Sequence, residues 1–201
     1  MFLIFLFFLG CTQLTMPNLP IGQVSEAFKE REVVRGQLID GEFHIPLVYN
    51  PTSAYPGWNL VAVPAEYQNV QVSVPYKIFH FEGAAYTGEI SPRGGSWIKV
   101  EQPGVLILRE LGKPFFSQSL QAGWNQIGVG FTPVKIKDMA IDGLSLDNAE
   151  EYIIPIFYYW DSSSGEWGFL NARKAETAEK ELLPGVGYFV YARKESELIW
   201  G

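Results

Sequence analysis

Much of this chain is written twice. Tyr55-Pro-Gly-Trp-Asn-Leu-Val-Ala-Val63 recurs as Gln121-Ala-Gly-Trp-Asn-Gln-Ile-Gly-Val129. Val74-Pro75 opens the aromatic run Tyr76-Lys-Ile-Phe-His-Phe81, and Ile154-Pro155 opens Ile156-Phe-Tyr-Tyr-Trp160. Each run ends in an acidic turn and a second aromatic, Glu82-Gly83 then Tyr86 in one copy and Asp161-Ser-Ser-Ser-Gly165 then Trp167 in the other. Gly94-Gly-Ser-Trp-Ile-Lys-Val100 matches Gly185-Val-Gly-Tyr-Phe-Val-Tyr191, and Gly104-Val-Leu-Ile-Leu108 answers Ser196-Glu-Leu-Ile-Trp200. Four matches in one order indicate a duplication, so the fold must be built from two units of like pattern. Short alternating or aromatic runs bounded by Gly and Pro are strand and hairpin signals, which makes both units antiparallel β modules of four or five strands.

The expected architecture is therefore all-β: two duplicated small antiparallel β modules, sandwich or barrel-like, with an N-terminal hairpin. The first repeat is placed at residues 51–114 and the second at residues 115–201. Residues 23–50 belong to neither copy. Within them Asp40-Gly41 joins two strand-like stretches, and both central positions of such a tight turn require positive φ. The second copy is longer in two places. One is an acidic insert with Asp138, Asp142, Asp147, Asn148, Glu150 and Glu151; the other, residues 171–182, is rich in Ala, Lys and Glu and predicts a short surface helix.

The N-terminus reads differently. Phe2 to Leu9 is an unbroken apolar run, too short for the roughly 20 residues of a membrane span, and the first charged side chain is Glu26. Residues 1–10 are read as an export signal peptide and residues 11–22, uncharged and containing Pro17 and Pro20, as a tether. Phe8-Leu-Gly-Cys11 resembles the lipobox of bacterial lipoproteins, in which a cysteine after a small residue is lipidated and becomes the first residue of the mature protein. Cys11 is the single cysteine of the chain, so no intramolecular disulfide claims it. The resemblance implies attachment to a membrane through lipid at Cys11 and an extracytoplasmic location in the cell envelope.

The recurring motif itself, Gly-Trp-Asn followed by an aromatic hairpin and Pro-Gly-x-Gly-Tyr, resembles the tandem β repeat modules of bacterial and archaeal secreted and surface proteins. Gly123, Trp124, Asn125, Pro184, Gly185, Gly187 and Tyr188 carry it best. The first copy keeps Gly57, Trp58 and Asn59 but has Gly94, Gly95 and Trp97 where the second has its Pro-Gly-x-Gly-Tyr element. The resemblance spans roughly residues 55–201 and implies an extracellular β module without catalytic residues.

From the residues alone, Trp58 and Trp124 either fill core volume or stand as ligand platforms, while Asn59 and Asn125 close a turn on backbone groups. Gly185 and Gly187 are expected where the backbone is closed to other residues. In the second aromatic run Tyr158 and Trp160 share one face and Tyr159 the other. With Trp167 opposite, Tyr158, Tyr159, Trp160 and Trp167 are the candidate ligand-binding residues, either an exposed stacking surface for sugar rings or cross-strand packing. No cofactor is expected: His44 and His80 have no partner at metal-ligand spacing, and the acidic insert departs from the order of a calcium loop. The 201 residues carry 15 Lys plus Arg against 22 Asp plus Glu, a net charge of -7, which excludes a polycationic nucleic-acid binder. The expected partners are the membrane, through Cys11, and a surface protein or polysaccharide. The expected role is structural or protein-interacting, with carbohydrate binding as the alternative, and not enzymatic.

Overall fold

The computed structural model describes residues 35–82, 85–87, 90 and 94–200, all within one compact unit, Val33–Gly201. The expected signal peptide, Cys11 and the tether lie outside the described residues. The strands of the first half are β1 (Gln37–Ile39), β2 (Glu42–Leu47), β3 (Trp58–Ala62), β4 (Asn69–Val72), β5 (Tyr76–Glu82), β6 (Ala85–Thr87), β7 (Gly95–Val100) and β8 (Gly104–Arg109). Those of the second half are β9 (Ser117–Leu120), β10 (Gly123–Ile127), β11 (Val134–Lys135), β12 (Ala140–Ile141), β13 (Leu144–Ser145), β14 (Ile153–Asp161), β15 (Glu166–Asn171), β16 (Glu181–Leu182), β17 (Tyr188–Ala192) and β18 (Ser196–Ile199). The protein is all-β. Its one described α-helix, α1 (Ala175–Ala178), is a single turn inside the stretch expected to be helical.

The two halves share one wiring. In the first, β1-β2-β8-β4 form one antiparallel sheet and β3-β7-β5-β6 another; in the second, β9-β18-β12-β13 answer the first sheet and β10-β17-β14-β15 the other. β2 and β9 thus hold the same place, each hydrogen-bonded to the last strand of its half. The N-terminal hairpin forms around Asp40 (φ 50°) and Gly41 (φ 82°) as their residue types dictate, but its second strand is an integral member of the first module. The segment expected outside both repeats supplies the strand that opens one of them. Pro46, which has no N–H to donate, lies past the end of β1, which stops at Gln37 opposite His44.

Each module closes a core between its two sheets. In the first, Phe43, Ile45 and Leu47 of β2 and Leu106 and Leu108 of β8 meet Val61, Ile98 and Val100. In the second, Leu120, Ile141 and Leu198 meet Ile127, Phe157 and Val190, with Trp200 fully buried at the end of the chain. Burial of each such side chain contributes about 1.5–3 kcal/mol.

The acidic insert is ordered by its own turns. Asp142 (φ 47°) and Gly143 (φ 81°) close a hairpin between β12 and β13, with the same dipeptide and the same turn chemistry as Asp40-Gly41. Glu150 pairs with Arg173 at 2.8 Å, and the Asp142 carboxylate accepts a hydrogen bond from the Glu197 amide at 2.8 Å.

Candidate functional site

The recurrent residues are best understood in pairs. Asn59 is 2% exposed; its Nδ2 donates to the Gly57 and Val48 carbonyls at 2.9 and 3.1 Å, and its Oδ1 accepts from the Val48 amide at 2.8 Å. Asn125 does the same with Gly123 and Gln121, at 3.0, 2.8 and 2.9 Å. Each side chain stands in for a strand, pairing with the residue that follows β2 or β9. Gly57 and Gly123 both have positive φ (72° and 110°), the left-handed region that favours glycine.

Gly185 also has positive φ (80°), as expected, but Gly187 does not. What Gly187 requires is space: a Cβ there would lie 2.7 Å from Leu60 Cγ. Around it the two modules join. Ala62 donates to the Gly185 carbonyl at 3.1 Å and Gly187 donates to the Leu60 carbonyl at 3.1 Å, so Val61 and Val186 pair antiparallel across the seam. A Cβ on Gly128 would collide with the Ala62 methyl. Tyr188 does not hold the place of Trp97, as the repeated sequence suggests. Trp97 lies opposite Leu60 and Phe189 opposite Gln126, so Trp97 corresponds to Phe189, and Tyr188 turns instead into the core of its own module. There its hydroxyl accepts from the Leu183 amide at 2.8 Å, and burial pushes its phenol well above the ordinary range.

The seam holds the candidate binding residues. Phe157 and Tyr159 face the core of the second module, while Tyr158 and Trp160 face the other way, as alternation requires. That other face is covered too. Trp160 is 4% exposed; its ring stands edge-on to Trp97 at 5.6 Å and to Trp167 at 5.5 Å, and its Nε1 donates to the Trp58 carbonyl at 2.8 Å. Tyr55, half exposed, caps it at 5.8 Å. Trp160 and Trp97 therefore bolt one module to the other, and Trp160 has no open ring face on which a sugar stacks. Tyr158 is 8% exposed, and burial raises its phenol pKa. Tyr159 and Trp167 are half-buried on opposite faces of the sheet. The structure thus brings Trp160 and Trp167 together, sets Tyr158 beside them on that face, and sends Tyr159 to the core.

The loop after Trp160 is shaped by Asp161. Its burial opposes ionisation, yet the Ser163 hydroxyl and the amides of Ser163 and Ser164 outweigh that and hold its carboxyl below the usual range. The loop reaches the first module through Asn50, whose Nδ2 donates to the Ser163 carbonyl at 2.6 Å.

Two half-open aromatic groups flank the seam, built around Trp58 and Trp124, the pair for which core filling and a ligand platform were the alternatives. In the second module the Trp124 ring meets Tyr191 at 5.4 Å and Tyr158 at 5.7 Å, with Phe169 beyond Tyr158 at 6.4 Å. In the first, Trp58 meets Phe79 at 5.3 Å, and Lys99 Nζ lies 5.5 Å from its ring centre. The alignment of the two Gly-Trp-Asn motifs was the available signal, because it puts Trp58 and Trp124 at one position of one fold.

His44 Nε2 lies 3.3 Å from Glu42, which also pairs with Arg109 at 2.7 Å. His80 is placed on β5 opposite Ser96. Among the described residues no three His, Cys, Asp or Glu side chains gather as a metal site.

Fold and seam together define a two-module, all-β protein whose modules are joined through buried tryptophans. Comparisons with family models, with curated proteins and with solved structures gave no match to this chain.

Proposed function

We propose that this is an extracytoplasmic β-module protein, anchored by lipid at Cys11, with a structural or protein-interaction role at the cell surface. The anchoring part rests on the apolar run before Cys11 and the uncharged stretch after it. The observation that carries the interaction part is strand β1. All three of its residues are exposed, Leu38 at 54% and Ile39 at 43%, and it ends its sheet with no further strand beside it among the described residues. An apolar edge of this kind offers unpaired backbone groups to an extended segment of a partner.

A photo-cross-linking residue at position 37 in intact cells is expected to give a discrete adduct that disappears in the Leu38→Lys/Ile39→Lys variant. Absence of any adduct would count against the edge as the contact surface. Lipidation is tested separately: Cys11→Ser is expected to release the protein from the membrane fraction and to lower its intact mass by the lipid.

A second reading, a carbohydrate-binding module, is favoured by the half-open ring of Trp124 beside Tyr158 and Tyr191. On this reading Trp124→Ala and Trp167→Ala abolish a saturable tryptophan-fluorescence response to neutral glycans. Trp160→Ala acts only by weakening the seam.

A further inference from the structure

Duplication supplies an internal comparison for every position on the outer faces of the β3-β7-β5 and β10-β17-β14 sheets. In the second module Trp124, Tyr191 and Ile154 lie side by side across three strands. In the first the same row reads Trp58, Lys99 and Lys77. Where the second module has Tyr191 and Ile154 the first has two lysines, directly opposite one another on neighbouring strands and on one face.

Like charges so placed repel and cost stability. Neither lysine forms an ion pair among the described residues, although acidic side chains outnumber basic ones in the chain. Lys77 is exposed, and Lys99 and Trp58 are half-buried. Lys99 is held over the indole, with its Nζ 5.5 Å from the ring centre. Adjacent strands lie about 4.8 Å apart, so the row is about 10 Å long: an indole at one end and two ammonium groups along it.

We propose that this row is a binding site for an anionic polysaccharide, with its carboxylates at Lys99 and Lys77 and a sugar ring against the part of the Trp58 indole that Phe79, Trp97 and Lys99 leave uncovered. An aromatic face suits the apolar side of a pyranose ring, and two ammonium donors suit the carboxylates of uronic acids. The site depends on neither the lipid anchor nor the edge of β1. It lies on the other module from the Trp124 face, so it extends the sugar-binding reading to a charged ligand and is tested apart from it.

The test titrates the full chain with polygalacturonate while following tryptophan fluorescence. A saturable change is expected, weakened about tenfold or more in the Lys77→Gln/Lys99→Gln variant and in the exposed single variant Lys77→Gln to a lesser degree. Lys135→Gln/Lys137→Gln, which removes two lysines elsewhere, is expected to bind as the parent does. The proposal is overturned by a flat response to polygalacturonate, by equal binding of its neutral methyl ester, by equal binding of polyglutamate, or by equal loss in the Lys135/Lys137 control. The Trp124→Ala variant separates the two readings. It should leave polygalacturonate binding intact even where it abolishes a response to neutral glycans.

Discussion

Asn59 and Asn125 make the same three hydrogen bonds, yet they are not equally important. Asn59 is buried and its partners at Val48 are part-buried, whereas the contacts of Asn125 with Gln121 are exposed. Water can replace the second set and not the first. Asn59→Ala is therefore expected to cost about 3 kcal/mol and Asn125→Ala about 1 kcal/mol, measured by urea unfolding. Gln126 is the opposite case. It stands where the first module has Leu60, is 9% exposed, and among the described residues neither its Oε1 nor its Nε2 has a hydrogen-bond partner. Gln126→Leu is expected to stabilise the protein by about 1–3 kcal/mol, the penalty of burying an unpaired amide; an unchanged or lower Tm would show that the amide is satisfied in solution. The roles of both asparagines were legible in the sequence, because a Gly-Trp-Asn motif at a strand entrance points to a side chain closing on the backbone. The fate of Trp160 was not. Alternation fixes which face it joins, but only the packing of a segment about 60 residues away decides that this face is covered.

At the scale of elements, a one-residue error flips a strand. The glycine pairs of the two copies put Trp97 in register with Tyr188, whereas the ladders put it in register with Phe189. The aromatic runs are out of step for a related reason. β14 is irregular between Ile154 and Tyr158, so its extra residues are absorbed as a bulge rather than as a longer loop. β2 was hidden by loop length. Its successor, Val48, corresponds to Gln121, but residues 49–56 intervene before Gly57 where the second copy has only Ala122. An alignment anchored on Gly-Trp-Asn thus leaves β2 outside the repeat. The two anchoring glycines also differ. A Cβ on Gly57 would collide with the Val100 carbonyl oxygen, while one on Gly123 meets nothing within 4 Å. Gly123→Ala should cost about 1 kcal/mol, the strain of positive φ alone. Gly57→Ala should cost more than about 3 kcal/mol or prevent folding, a contrast readable by thermal denaturation.

At the scale of the whole molecule, two cores are distinct and yet not independent. Val61–Val186 pairing, the Gly128–Ala62 approach and the Trp160–Trp58 hydrogen bond all cross the seam. Unfolding is expected to be a single transition in urea, with Trp160→Ala lowering the stability of both modules together by about 3–5 kcal/mol. Two resolved transitions in the parent would show that the seam does not couple them. The all-β class and the two-module plan were readable from composition and repetition. The seam was not, because its residues answer to contacts between copies and leave no periodic mark within either. One consequence is optical. Trp97, Trp160 and Trp167 stand mutually edge-on at 5.5–5.8 Å, close enough for their excited states to mix. The closed seam should therefore split the indole bands into an exciton couplet in circular dichroism, and that couplet changes shape when any one of the three rings becomes phenylalanine and vanishes when two do.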